Sequence, residues 1–310
     1  MSRRDWLTAA VITVVAVAIA GFLLRDGGDD PTPRSHETGE PSARVMSEAS
    51  AADLIAELSG RGWACYDSLP DPVVKRCFFD RLADASGTVS ADVALTYSDG
   101  YLARVNIYAA GERDDGEHVR LAEQTARLAG DVLLHGAGDA LAARVGVRRP
   151  IELAGRQVFG TEAPGASTQV VVESASYDEP VLPPPNLPVP DVLVREAEAA
   201  GLTCQQSGST TTCSASDQPS MTVTLSIAAG RVGSLSISAS NFAVPNDPAV
   251  VNRVTGYLFE AGIGDPRAIA WIRSHAGSPT PARADLGGVH FRLGAGGDRA
   301  LYLSLGAIQN

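Results

Sequence analysis

The segment LIAELSGRGWAC (Leu54–Cys65) recurs 139 residues later as LVREAEAAGLTC (Leu193–Cys204). Three further matches follow in the same order. VALTYSDGYLARVNIY, from Val93, lies over VTLSIAAGRVGSLSIS, from Val223, and GDVLLHGAGDA, from Gly130, lies over GYLFEAGIGDP, from Gly256. LAGRQVF, from Leu153, lies over LGGVHFR, from Leu286. Collinear matches of this kind predict one folding unit built twice.

Within one unit the patterns change from helical to alternating and back. Val93, Leu95 and Tyr97, like Val223, Leu225 and Ile227, repeat with period two around Asp99-Gly100 and Ala229-Gly230. Two such runs joined by two residues of this type predict a β-hairpin. Val105 and Ile107, or Leu235 and Ile237, complete one apolar face per unit. The predicted order is helix, cysteine-bearing strand pair, hairpin, long helix, short helix and closing strand pair. Helices can bury their apolar sides only against that sheet face, which gives an α+β layer in each copy. For the first helix, Ser50 with Asp53 reads as a capping box, and Asp191 opens its counterpart.

Composition divides the rest. Residues 25–50 are polar and rich in Pro, Ser, Asp and Gly, and read as a disordered stalk. Residues 176–190 are proline-rich and read as an extended spacer. The two repeats then occupy 51–175 and 191–310. Ahead of the stalk, Trp6 to Leu24 contains no charged residue. As a helix it reaches roughly 28 Å, enough for the ~30 Å hydrocarbon core. Arg3 and Arg4 place residues 1–5 on the cytoplasmic side and both repeats outside. An uncleaved signal anchor at 6–24 is therefore expected, with the lipid bilayer as one partner; cleavage near Ala18-Ile19-Ala20 is the alternative. The fold class is an N-terminal transmembrane helix followed by two tandem α+β domains, each with helices on an antiparallel sheet, in a bacterial cytoplasmic membrane.

Four cysteines, Cys65, Cys77, Cys204 and Cys213, all follow the anchor. An even count outside the membrane reads as disulfides. Three connectivities are possible, and the repeat selects pairing within each copy, Cys65 with Cys77 and Cys204 with Cys213.

Charge excludes one class of partner. The chain carries 25 Lys and Arg against 36 Asp and Glu, a net charge of −11, and only the first residues are basic, so a nucleic-acid partner lacks its electrostatic footprint. The glycine-rich stretch at 130–146 is not a phosphate loop either. A helix precedes it, no Lys-Ser/Thr pair follows, and His135 corresponds to Ala261 in the other copy. Asp265-Pro266 reads as an N-cap and first helical residue, and Gly262 as the left-handed residue ending the previous helix. Gly136 and Asp139 take those parts in the first copy. His36, His118, His135, His275 and His290 are scattered and show no metal spacing. Asp114-Asp115 reads as a solvated acidic pair. No catalytic, cofactor or metal residue is assigned, and no cofactor is expected.

One surface stands out. With the apolar residues inward, Thr222, Thr224, Ser226, Ser234, Ser236 and Ser238 point outward as a nearly uncharged face, in a repeat with 8 arginines against 9 acidic residues. The corresponding face of the first copy, with Thr96, Ser98, Arg104, Asn106 and Tyr108, is mixed. The second-copy face is a docking candidate for an envelope protein or wall polymer. The sequence thus reads as a membrane-anchored, extracytoplasmic, non-catalytic binding or assembly module. The alternatives are an envelope hydrolase using His275 or His290, with Asp285 and a serine, and a bivalent inhibitor or sensor.

Overall fold

The computed structural model describes residues 46–83, 87–112, 116–163, 167–174, 177–217, 219–241, 247–263, 265–294 and 299–308. The anchor segment, nearly all of the stalk, His36, Asp114-Asp115 and Gly264 lie outside the described residues. Among the described residues no helix is long and apolar enough to cross a membrane.

The first half runs α1 (Glu48–Gly60), β1 (Ala64–Pro70), β2 (Val73–Ala83), β3 (Gly87–Ser98) and β4 (Tyr101–Gly111). It continues with α2 (Glu117–Leu133), α3 (Gly138–Ala142), β5 (Ile151–Leu153), β6 (Arg156–Ala163) and β7 (Ser167–Glu173). The second half runs α4 (Pro190–Ala199), β8 (Thr203–Ser207), β9 (Thr210–Ala215), β10 (Ser220–Ala228) and β11 (Arg231–Ser240). It ends with α5 (Pro248–Glu260), α6 (Pro266–His275), β12 (Ala282–Leu286), β13 (Val289–Gly294) and β14 (Ala300–Gly306). The fold is α+β, with two seven-stranded antiparallel sheets ordered β1-β2-β3-β4-β7-β6-β5 and β8-β9-β10-β11-β14-β13-β12. Strand for strand the second order reproduces the first, which is compatible with a repeat.

Local chemistry accounts for the shared elements. Asp99-Gly100 and Ala229-Gly230 both have positive φ, as do Ala154-Gly155 and Gly287-Gly288. Two consecutive left-handed residues make the hairpin turn whose twist matches the flanking strands. Inward residues of the hairpins, including Val93, Leu95, Val105 and Ile107, are buried with Leu54, Leu58, Ala122, Ala126 and Leu133 of the helices. Val223, Leu225, Leu235 and Ile237 pack likewise with Leu193, Val254, Leu258 and Ile272. Cys65 lies opposite Cys77 and Cys204 opposite Cys213 across adjacent strands, with Cα separations of 4.0 and 3.9 Å. Both disulfides are formed within a repeat, and such bonds suit an oxidising, extracytoplasmic compartment.

The structure differs from the sequence reading at several points. Each closing pair is in fact a trio, because β7 and β14 return to the centre of their sheets, beside β4 and β11. β7 escapes an alternation test because Val170, Val171 and Val172 are all buried, so both its faces are apolar. α1 begins one turn early, with Ser47 as N-cap accepting from the Ser50 amide, so Ser50 lies inside the helix. α4 starts at Pro190, which places Asp191 in its first turn after the cap Val189.

The glycine-rich stretch is a helix–helix connector in both copies. Asp265 caps α6 by accepting from the Arg267 amide at 2.8 Å, and Gly262 (φ 77°) ends α5 in the left-handed region. Gly136 (φ 92°) does the same after α2, but Asp139 is no cap. It sits in the first turn of α3 and pairs with Arg127 at 2.8 Å, while Asp131 accepts from the Gly138 amide at 3.0 Å. The glycines here admit a close crossing. A Cβ on Gly130 would lie 2.8 Å from the Ala137 carbonyl, and one on Gly138 would lie 2.5 Å from the Arg127 carbonyl. Gly138→Ala should therefore cost roughly 1–3 kcal/mol by overpacking against rigid backbone, measurable by urea unfolding. Gly256→Ala, with nothing within 4 Å of the new Cβ, should cost nothing by clash.

Residues 43–310 form one compact unit. The proline-rich segment is a strap laid against both halves. Leu182 packs with Leu69, Val74 and Ile308, Arg104 reaches Glu179 at 2.9 Å, and Asn186 bonds the carbonyls of Gly287 and Gly288.

Candidate inter-repeat binding cleft

Alternation fixes which side chains leave the cores. With Cys77, Val93, Ile107 and Val170 inward, the adjacent positions Arg76, Phe78, Asp80, Ser90, Asp92, Asn106, Tyr108 and Gln169 project from the opposite face of the first sheet. On the second sheet Ala284 and Phe291 are inward, so Arg283, Asp285, His290 and Arg292 project outward along β12 and β13. The two outward faces meet at these edges.

Arg283 makes the central contact. Its Nε donates to Asp80 at 3.0 Å and its Nη1 to Asp92 at 3.2 Å. Nη2 donates to the carbonyls of Ala91 at 2.7 Å and Phe79 at 3.2 Å. Arg76 approaches from the other side, donating from Nη2 to Asp92 at 3.2 Å and pairing with Asp285 at 3.5 Å. Both guanidinium groups lie over the Phe78 ring, that of Arg76 at 4.7 Å and that of Arg283 at 4.9 Å from its centroid. Stacked cations of this kind gain from the ring's negative face, more so when desolvated. Burial pushes the Asp80 carboxyl up from its ordinary range, while Arg283 and then Arg292 pull it back. Burial likewise raises the Tyr66 phenol on β1, against a hydrogen bond with Trp271.

Asp285 gathers two more groups. Its side chain is fully buried; Oδ2 accepts from Ser68 Oγ and Oδ1 from His290 Nδ1, each at 2.6 Å. Asp285, His290 and a serine thus lie within hydrogen-bond reach of one another's partner. The order of the contacts matters chemically. In a nucleophilic triad the hydroxyl bonds the imidazole, whose other nitrogen bonds the carboxylate. Here Ser68 donates to the carboxylate and is buried, while the His290 side chain remains 21% exposed. His275 sits apart, stacked on Trp271 at 5.0 Å with Nδ1 2.9 Å from its carbonyl. His118 is buried in α2, and His135 occupies the left-handed connector. Among the described residues no group of His, Cys, Asp and Glu is arranged to hold a metal ion.

A cleft of about 490 Å³ opens beside this network, within the range of small-molecule sites. Its floor is the first sheet, with Arg76, Ser90, Asn106, Tyr108 and Gln169, and its wall is Arg283, His290 and Arg292. Gln169 Nε2 donates to Asn106 Oδ1 at 2.7 Å and Thr161 Oγ1 to Gln169 Oε1 at 3.0 Å, which orients the amides. Arg292 and Glu112 face the cleft without an ion pair among the described residues. Thr222, Thr224, Ser226, Ser234, Ser236 and Ser238 lie on the continuing outward face of the second sheet, exposed or half-buried.

Sequence reasoning named His290 and Asp285 but missed Ser68, Arg76, Asp80, Asp92 and Arg283. A signal was present: Arg76 and Asp80 flank the apolar run CFF in VVKRCFFDRLA, on the side opposite Cys77, and Asp92 is the lone charge in SADVALTY. Charges in such positions are buried only when paired. Comparison with protein-family models, with curated proteins and with solved structures gave no match to this chain.

Proposed function

We propose that this protein is a non-catalytic binding or assembly component of a bacterial cell envelope. It is held by a single-pass anchor at residues 6–24 with its N-terminus inside, and takes its ligand in the inter-repeat cleft. The observation that carries this reading is the cleft itself. It is polar and open, its floor groups are oriented by mutual hydrogen bonds, and Arg292, Glu112 and Tyr108 are left to meet a ligand. The disulfides support placement outside the cytoplasm. Because both outward faces converge on one cleft, a single composite site is favoured over bivalent gripping.

A photo-crosslinking residue replacing Tyr108 in the full chain, in living cells, tests the reading. A discrete adduct from position 108, and none from the same probe at the exposed Tyr101, is the expected result. No adduct, or the same adducts from both positions, overturns it.

The Asp285–His290 pair favours a second reading, a hydrolase in which His290 activates water. Release of soluble fragments from envelope material by the purified chain, lost in His290→Asn, would carry that reading instead.

A further inference from the structure

The wall of the cleft does not end at Arg292. Through the strand register Arg292 lies opposite Ser304, Ser304 opposite Ser236, Ser236 opposite Thr224, and Thr224 opposite Thr212. Thr212 in turn faces Gln205 on the edge strand β8. This row crosses six strands, and at about 4.8 Å between strands it spans roughly 24 Å. We infer that the cleft is one end of a track for a neutral, polyhydroxylated chain, a glycan strand, lying across the second sheet from Arg292 to Gln205. This deepens the binding reading above and rests on it.

Three observations fix the ligand class. The first is charge: beyond Arg292 the row is uncharged, and the cleft that Arg292 lines also holds the acidic Glu112, Asp80 and Asp92. A phosphate or carboxylate polymer needs uncompensated cations, which such a lining does not offer. The second is the kind of polar group. Each Ser or Thr hydroxyl both donates and accepts, as each sugar hydroxyl does, so either partner adapts to the other. A second copy of this chain is disfavoured as occupant, because faces that bury one another in homodimers are apolar at their centre.

The third is where the exceptional side chains sit. Tyr302, two residues from Ser304 on β14 and on the same face, is 51% exposed in this field of hydroxyls and lies opposite Gly294. An exposed aromatic ring with a polar tip beside hydroxyls offers a sugar ring a flat apolar platform. At the cleft end, Arg76 has a side chain 6% exposed and lines the floor; its Nη1 has only the Asp285 carboxylate at 3.5 Å, and its Nε lacks a hydrogen-bond acceptor. A buried donor without a partner is costly, and an oxygen of a ligand seated there would satisfy it.

The test uses the full chain in phospholipid nanodiscs, titrated with cellohexaose, chitohexaose, maltohexaose, cellobiose and hexametaphosphate, and read by ligand-observed NMR. At least one neutral hexasaccharide is expected to bind roughly tenfold more tightly than cellobiose, about 1.4 kcal/mol. Tyr302→Ala and the pair Thr224→Val, Ser236→Ala should erase that length advantage while leaving the unfolding midpoint unchanged. Absence of saturable hexasaccharide binding, no preference for length, indifference to Tyr302→Ala, or tighter binding of hexametaphosphate would each overturn the track. An adduct at position 108 without hexasaccharide binding removes the glycan and keeps the cleft; loss of both removes the binding reading itself.

Discussion

Arg283→Ala is expected to destabilise the protein by roughly 3–5 kcal/mol, because it strips the buried Asp80 carboxylate of its paired cation and Asp92 of one of two. Asp80 loses the partner that held its pKa down, Asp92 keeps only Arg76, and two sheet carbonyls lose a donor. The pH dependence supplies a signature. Burial already raises Asp80 above the unfolded carboxyl value of about 3.9, and the variant removes the first of the groups opposing that rise. A group that binds its proton more tightly when folded adds stability as pH falls through its folded pKa. The deficit of Arg283→Ala should therefore shrink on acidification from neutrality toward the unfolded value. Urea unfolding at several pH values measures this, and a pH-independent deficit would locate the cost elsewhere. Arg283→Met, which keeps part of the stem against Phe78, should not rescue the loss.

Removing either disulfide, by Cys65→Ala with Cys77→Ala or by Cys204→Ala with Cys213→Ala, should cost roughly 2–4 kcal/mol. The closed loops have similar lengths, with sequence separations of 12 and 9. The two losses should differ in reach. Cys77 is flanked by Arg76 and Phe78, whose outward side chains build the contact with the second sheet, whereas Cys213 is flanked by Thr212 and Ser214. Hydrogen exchange should show faster opening of β12 and of the cleft floor after the first removal, and only local change near β8 and β9 after the second. Equal effects at β12 would disconnect the first disulfide from the cleft.

Much of the fold was legible in the sequence, because its signals are local. Period-two alternation marked the inward faces of β3, β4, β10 and β11, and positive-φ dipeptides marked their turns. The matched segments paired the cysteines. β14, with Leu301, Leu303 and Leu305 buried in alternation, was readable by the same test, yet it closes far from its partner β11 in sequence. β7 was harder, since a strand buried on both faces has no alternation to read. The cleft was illegible for a different reason. Arg283 and Asp80 are 203 residues apart, and nothing local to either says that the outward face of one sheet is covered by the edge of another. His290 and Asp285 were visible as candidates only because a two-residue turn brings them together.

The contact between the sheets joins unlike surfaces, the face of one repeat and the edge of the next. Such a head-to-tail arrangement has no built-in stopping point and propagates into filaments unless something ends it. Alignment on the disulfides and hairpins shows what ends it here. Where the first face carries Arg76, Phe78, Asp80 and Asp92, the second carries Thr212, Ser214, Ser216 and Thr222, and so offers an incoming arginine no counter-charge. Where the second edge carries Arg283, the first has Pro150. Both free ends of this two-member stack are thus sterile for further growth. The outward face of the second sheet is thereby left open to a different occupant.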